Sequence, residues 1–227
     1  KEWLEQGMHA GMHDMERNVD KRTDPAALVE GTRSVISVLL NYYPARRQEH
    51  PDAPVLSVYA FGKDYHEVIR KKLNRLLQFM NETMGPVNGR GFTDSAPVLD
   101  RAWAARAGLG WIGRNSLLIT PRAGSYFFIG TLLVDIELEE DRPIRDFCGD
   151  CNRCVRACPT AAITANRTVD SNRCLSYLTI EHRGEIAPEY RPLFSNRVFG
   201  CDICQEVCPW NRKAVPHRVP EFEPVPG

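Results

Sequence analysis

Two hydrophobic periods alternate along the first 140 residues. Val35-Ile36-Ser37-Val38-Leu39-Leu40 is a short apolar, β-branched run stopped near Pro44, and it predicts a buried strand. Ile69, Leu73, Leu76, Leu77 and Met80 recur at helical spacing behind Asp64 and Glu67, which read as the helix start. Gly85-Pro86 ends that helix. Pro97 opens a second helix over Val98 to Ala107, halted by Gly108. Two further strands are predicted at Ser116 to Thr120 and at Tyr126 to Leu138.

From Asp141 the pattern dissolves into short turns, cysteines and prolines, so a boundary is expected in the charged stretch near Glu140 to Arg145. The expected organisation is an α+β (mixed α/β) domain over 1–140, a cysteine-bearing domain over 141–213 and a proline-rich linker over 214–227. Composition narrows the class. An apolar share of 43% and a charged share of 26% suit a soluble chain that buries a core. Twenty-nine basic residues balance twenty-nine acidic ones, so only a local patch can attract a polyanion. No apolar run is long enough to span a membrane, and no signal peptide opens the chain. The first residue is Lys1, as expected of a fragment.

All eight cysteines lie between Cys148 and Cys208. A disulfide scaffold would spread its bridges through a small secreted chain, so the clustering points to metal. Cys148-x2-Cys151-x2-Cys154-x3-Cys158-Pro159 is the bacterial run for a [4Fe-4S] cluster, whose fourth cysteine reaches the neighbouring cluster. Cys201-x2-Cys204-x3-Cys208-Pro209 is a second run whose first position is Val198, leaving Cys174 to supply the missing ligand. The expected allocation is Cys148, Cys151, Cys154 and Cys208 on one cluster. Cys158, Cys174, Cys201 and Cys204 then hold the other. The competing reading is two four-cysteine zinc sites, which the consecutive two-residue steps fit poorly.

Gly108-Leu109-Gly110-Trp111-Ile112-Gly113 spells the dinucleotide fingerprint, but a helix precedes it and a strand follows, the reverse of what that motif requires. The glycines are instead expected to allow positive φ or a close backbone approach to something flat and large.

These residues carry a resemblance. Asp94-Ser95-Ala96-Pro97-Val98-Leu99-Asp100-Arg101, with Arg106-Ala107-Gly108-Leu109-Gly110-Trp111-Ile112-Gly113-Arg114-Asn115, resembles the epoxyqueuosine reductase family. Gly62-Lys63-Asp64-Tyr65-His66 and the displaced Cys174 agree with it, and the likeness spans nearly the whole chain. Arg114 departs from the lysine of many relatives. The resemblance implies a nitroreductase-like cobalamin-binding domain related to reductive dehalogenases, followed by a ferredoxin-like double [4Fe-4S] domain. It also implies that about 40 amino-terminal residues and a helical carboxyl-terminal module lie outside this chain.

The implied chemistry is reduction of the epoxide of epoxyqueuosine, at the tRNA wobble position, to queuosine. Asp94 is the implied acid, and Asp100 a second choice. Corrin contacts are implied for Gly108, Gly110, Gly113, Asn115 and Leu118, with Ser176 and Asp202 from the cluster side. Tyr65, His66 and Arg183 are substrate candidates. Phosphate contacts fall to Arg70, Lys71, Lys72 and Arg75, and to Arg212 with Lys213. An external low-potential electron donor, a cytoplasmic location and a monomeric state complete the expectation. Two alternatives keep part of it: a dehalogenase-like cobalamin oxidoreductase with another substrate, or a ferredoxin-type electron carrier. His9 and His13 are four apart, but without a third ligand such a pair is more often a surface feature.

Overall fold

Eight extended residues, Ser34–Asn41, pair antiparallel with Phe127–Val134, which pairs on its other edge with Gly89–Phe92. The result is a three-stranded sheet with Phe127–Val134 at its centre. Central position shows in burial: Leu132, Leu133 and Val134 are buried, whereas the whole of Ser34–Asn41 is only half-buried. The first strand therefore forms where expected, but as an edge strand and not a buried one. This computed structural model describes residues 1–48 and 50–224.

Helix Tyr65–Met84 lies on the sheet through Val68, Ile69, Leu73 and Met80. Asp64 caps it by accepting from the His66 N–H at 2.9 Å, and Gly85 ends it at φ 90°, a region glycine enters without strain. The second predicted helix is shorter than expected, Asp100–Arg106. Residues 93–99 form a loop instead, because Asp94 sits at φ 56° and the Val98 N–H bonds only two residues back, to Ala96. The glycine-rich stretch then runs into a hairpin, Trp111–Ile112 against Leu118–Ile119, as its reversed order demanded. The last strand is Phe127–Val134, shorter than the predicted Tyr126 to Leu138.

The cysteine-bearing segment is sewn to this α/β part at several places. Val55–Leu56 pairs parallel with Arg197–Phe199. Buried Asn211 accepts from the Ser125 N–H at 2.7 Å and donates to the Gln205 carbonyl at 2.6 Å. Gln205 in turn donates to Ser125 O at 2.9 Å and to the Tyr42 hydroxyl at 3.1 Å.

The tail corrects one expectation. Residues 214–224 are packed and do not hang as a linker. The His217 N–H donates to Tyr43 O, Glu221 O accepts from Lys63, and Phe222 is buried against Phe128 at 5.1 Å between ring centroids. Prolines prevent an α-helix there, leaving one 3-10 turn at Pro220–Phe222, but Val219 and Phe222 still fill the core. The rest of the predicted linker, 225–227, lies outside the described residues.

Asn211→Ala is expected to leave the Ser125 N–H buried without a partner and the Gln205 carbonyl with only the Cys208 N–H, a loss of about 2 kcal/mol. Thermal unfolding of the cluster-loaded protein should then shift down by roughly 4–8 °C. An unchanged Tm would show that this network does not fasten the two parts.

Candidate functional site

No disulfide joins the eight cysteines, and Cys208 is the most buried of them. Their electrostatic neighbourhoods separate them into two sets. Cys154 feels Cys148 and Cys208, and Cys208 feels Cys148 and Cys151. Cys174 feels Cys158, Cys201 feels Cys174, and Cys204 feels Cys201, Cys174 and Cys158. Cys204 also feels Cys154, the single link between the sets, which places them side by side. Burial pushes up the thiols of Cys154, Cys174, Cys201, Cys204 and Cys208, and the neighbouring sulfurs push in the same direction.

The spacing discriminates between metals. Among the described residues, only His9, His13 and Glu16 bring three potential ligand atoms within 4.8 Å of one another. Four thiolates on one tetrahedral zinc would stand about 3.8 Å apart, from a Zn–S bond of about 2.3 Å. The two thiol sets are more open than that and suit a multi-iron cube. Backbone N–H groups aim at the sulfurs: Ala162 donates to Cys158 Sγ at 3.3 Å, Ser176 and Tyr177 to Cys174, and Trp210 and Asn211 to Cys208. On the first set one donor is a side chain. Trp111 Nε1–H points at Cys148 Sγ at 3.4 Å, within an aromatic cap made with Phe147 and Trp210. Nothing in the sequence spacing marked Trp111 as a sulfur donor, although it lies in the segment that carries the resemblance.

The second set adjoins a polar cluster. Asp202, between Cys201 and Cys204, accepts from the Ser57 hydroxyl and from the Val58 N–H at 2.8 Å. Burial raises its carboxyl above the ordinary range. Next along the chain, Tyr59 is pushed up to about 12, first by burial and then by the charges of Asp94 and Asp202, and its ring lies 6.1 Å from that of Phe199, two residues before Cys201. Its ring meets Tyr65 edge-on at 6.2 Å.

Tyr65 stacks between His66 and Phe128, with centroids at 4.0 and 4.2 Å, and donates its hydroxyl to Asp94 Oδ2 at 2.5 Å. Burial, then the Asp94 charge, keep the Tyr65 hydroxyl protonated. His66 Nε2 lies 3.7 Å from the same Asp94 oxygen, and its Nδ1 lies 2.8 Å from Asp64 Oδ1. Asp64 is held below the usual carboxylate range, first by the His66 N–H. From the other side, Asp100 accepts from Thr131 Oγ1–H at 2.5 Å and from the Asp94 N–H. Burial pushes Asp100 up to about 6. The structure thus gathers Tyr65, His66 and Asp94, with Asp64, Asp100 and Thr131 behind them. Asp94 is exposed, and it does not cap the following helix, whose N-cap is Leu99.

Other sequence candidates are spent on the fold. A Cβ on Gly108, at φ 71°, would lie 2.6 Å from Arg142 O, and one on Gly110 or Gly113 would strike Ile119. The close approaches these glycines allow are therefore to the chain itself. Leu118 is buried in the hairpin. Asn115 is buried, with its amide donating to Cys204 O at 3.2 Å and accepting from Leu117. Arg183 is exposed and bonds Ile180 O at 2.8 Å, beyond the helix Leu175–Ile180. Beside Cys201 and Asp202 a cavity of about 360 Å3 is lined by Val55, Val58, Phe61, Gln48, Asn196 and Arg197, among others.

Comparison with known proteins meets this geometry. The family described as a 4Fe-4S double cluster binding domain matches residues 147–211, and that described as epoxyqueuosine reductase QueG, DUF1730, matches residues 22–95. An epoxyqueuosine reductase of Cellulophaga algicola is 50% identical over 226 residues, covering 100% of this chain and 74% of that protein. That of Escherichia coli is 45% identical, over 98% of this chain and 60% of its own. Among solved structures, an epoxyqueuosine reductase with an epoxyqueuosine-modified tRNA stem loop superposes with a TM-score of 0.90 at 34% identity, covering 98% of this chain and 60% of that one. A Bacillus subtilis epoxyqueuosine reductase, with its catalytic aspartate loop swung out of the active site, matches with the same TM-score and identity over the same shares. With half of its residues identical to the Cellulophaga protein along its entire length, and two thiol sets where the double-cluster family matches, this chain belongs to the epoxyqueuosine reductase family.

Proposed function

We propose that this chain reduces the epoxide of epoxyqueuosine in tRNA to queuosine, with two [4Fe-4S] clusters and cobalamin as cofactors. The observation that carries the reading is the Tyr65–His66–Asp94 cluster, linked by ring contacts through Tyr59 to Phe199, two residues before Cys201 of the second thiol set. A proton donor and an electron outlet are thereby neighbours. Deoxygenation consumes two electrons and two protons, breaks both C–O bonds of the epoxide and releases water.

The cavity beside Cys201 fits the periphery of a corrinoid in chemistry. Val55, Val58 and Phe61 suit ring methyl groups, while Gln48, Asn196 and Arg197 suit propionamides and a phosphate. Bound there, cobalamin supplies a low-valent cobalt as reductant. The protein's share is orientation and protons. Asp94 is the group that delivers a proton to the opening epoxide oxygen. Tyr65 and His66 fix which oxygen of Asp94 is free, and Asp64 orients the His66 ring through Nδ1. Asp100 anchors the Asp94 backbone, and a carboxyl titrating near 6 there senses the charge on Asp94.

The same helix that presents Tyr65 and His66 exposes Arg70, Lys71, Lys72 and Arg75, a basic face suited to anticodon phosphates beside Asp94. No helix among the described residues is long and apolar enough to cross a membrane. A tRNA substrate and reduced thiols fit a cytoplasmic enzyme.

Asp94→Asn keeps the side chain's shape and removes its acid. Turnover of epoxyqueuosine-containing tRNA is expected to fall roughly 10²–10⁴-fold while iron content and cobalamin binding persist. A near wild-type rate would remove Asp94 from the mechanism. Trp111→Phe deletes one N–H···S bond to Cys148, so redox titration followed by EPR should show one cluster shifted to lower potential and the other unmoved. Two unchanged potentials would show that the contact does not tune the cluster.

A further inference from the structure

The reduction proposed above needs electrons from outside the chain, and one face beside the first thiol set carries a group of exposed arginines. Beside Cys208, a shallow hollow of about 500 Å3 is lined by Arg153, Arg156 and Arg212, with Ala157, Val207 and Glu206. Arg153 and Arg156 stand three residues apart on one face of the short helix Arg153–Ala157, and Arg212 comes from the turn Pro209–Lys213. All three are exposed, and none has an acidic partner among the described residues. Glu206, the one acid of the lining, is already held by Arg47 at 2.6 Å.

More cations frame the same thiol set. Lys213 Nζ lies 4.5 Å from the centroid of Trp210, and the Arg145 guanidinium 4.7 Å from that of Phe147, the rings that pack with Cys148 and Cys208. Between Arg145 and Arg156, Asp146 is paired with Arg167, which leaves Asp150 as the one acid there without an ion pair among the described residues. With no net charge on the whole chain, such an uncompensated patch dominates the local field.

We propose that this basic hollow is the docking face for an acidic, low-potential one-electron carrier protein, which feeds the cluster held by Cys148, Cys151, Cys154 and Cys208. The proposal rests on the cluster-bearing epoxide reductase reading given above. Two observations separate the carrier from RNA as the occupant. The hollow borders the first thiol set, whereas the Asp94 site reaches the second through the rings of Tyr65, Tyr59 and Phe199 beside Cys201. A reacting tRNA base must reach Asp94, and a separate basic face already lies there on the Tyr65–Met84 helix. Redox encounters are small and wet, and they are steered by charge, as an open arginine-rimmed hollow permits. Each turnover oxidises two carrier molecules by one electron each. Each electron reduces the first cluster, which is reoxidised as the electron passes to the second, and two protons then accompany the pair to the epoxide.

The test is stopped-flow reduction of the holoenzyme, read as bleaching of cluster absorbance, with reduced flavodoxin as the acidic carrier and methyl viologen radical as a cationic control. Replacing Arg153→Glu, Arg156→Glu and Arg212→Glu together is expected to lower the flavodoxin rate constant tenfold or more at low salt and to abolish its salt dependence. Reduction by methyl viologen should not slow, and in the Arg153→Glu, Arg156→Glu pair, which leaves Arg212 in place, affinity for tRNA should be unchanged. If the triple glutamate variant loses iron, Arg153→Gln, Arg156→Gln and Arg212→Gln together should show the same loss in smaller measure. An unchanged flavodoxin rate in an iron-replete variant would overturn the proposal. So would lost tRNA affinity with normal reduction, which would give the hollow to RNA. Absence of clusters from the reconstituted wild type would instead overturn the reading on which the proposal rests.

Discussion

Each thiol set draws on both ends of the cysteine-bearing segment, and that constraint organises the molecule. Cys208 must return to Cys148 and Cys151, while Cys158 and Cys174 must meet Cys201 and Cys204. The chain between them has no choice but to fold back on itself. Once it does, Asn211 and Gln205 arrive beneath Ser125, the Trp111 hairpin covers Cys148, and Val55–Leu56 finds an edge at Arg197–Phe199. Burial and neighbouring sulfurs disfavour the thiolate form in the metal-free chain, as the raised thiols show. Cluster binding to thiolates is therefore expected to be a large part of what holds this half together.

The same arrangement gives the electron path a direction. One set is capped by aromatic rings and bordered by arginines without acidic partners among the described residues, and the other is followed in the chain by Asp202, next to Cys201. Asp202 is fastened to Ser57 and Val58, and the following residue, Tyr59, leans toward Tyr65. On the proposed reading, the proton donor sits at the end of the path nearer the second thiol set. A carboxylate on a loop, held at its backbone by Asp100 and at its side chain by Tyr65, can be positioned without being buried by the protein itself.

How far this was legible in the sequence depends on the kind of signal. The helix Tyr65–Met84 and the reversed glycine motif were readable, because periodicity and order are local properties. Cysteine spacing alone suggested the thiol partition, since eight ligands for two cubes leave little freedom. The packed tail was not readable: prolines announce what backbone geometry is forbidden, not whether Phe222 finds a core to enter. Nor were the partners of the glycines. Gly108, Gly110 and Gly113 do require close approach, but the approaching groups are Arg142 and Ile119, which only the folded chain brings there. Trp111 and Thr131 escaped for the same reason, because their donors acquire meaning only from acceptors far away in sequence.

The central claim is that two separate clusters share this segment, with Cys174 belonging to the second alone. The most direct measurement is iron and sulfide analysis with EPR on anaerobically reconstituted Cys174→Ala beside the wild type. The account predicts two [4Fe-4S] signals in the wild type, and in the variant a surviving first cluster with the second lost or degraded. Zinc in place of iron, or a variant in which both clusters are unaffected, would contradict it.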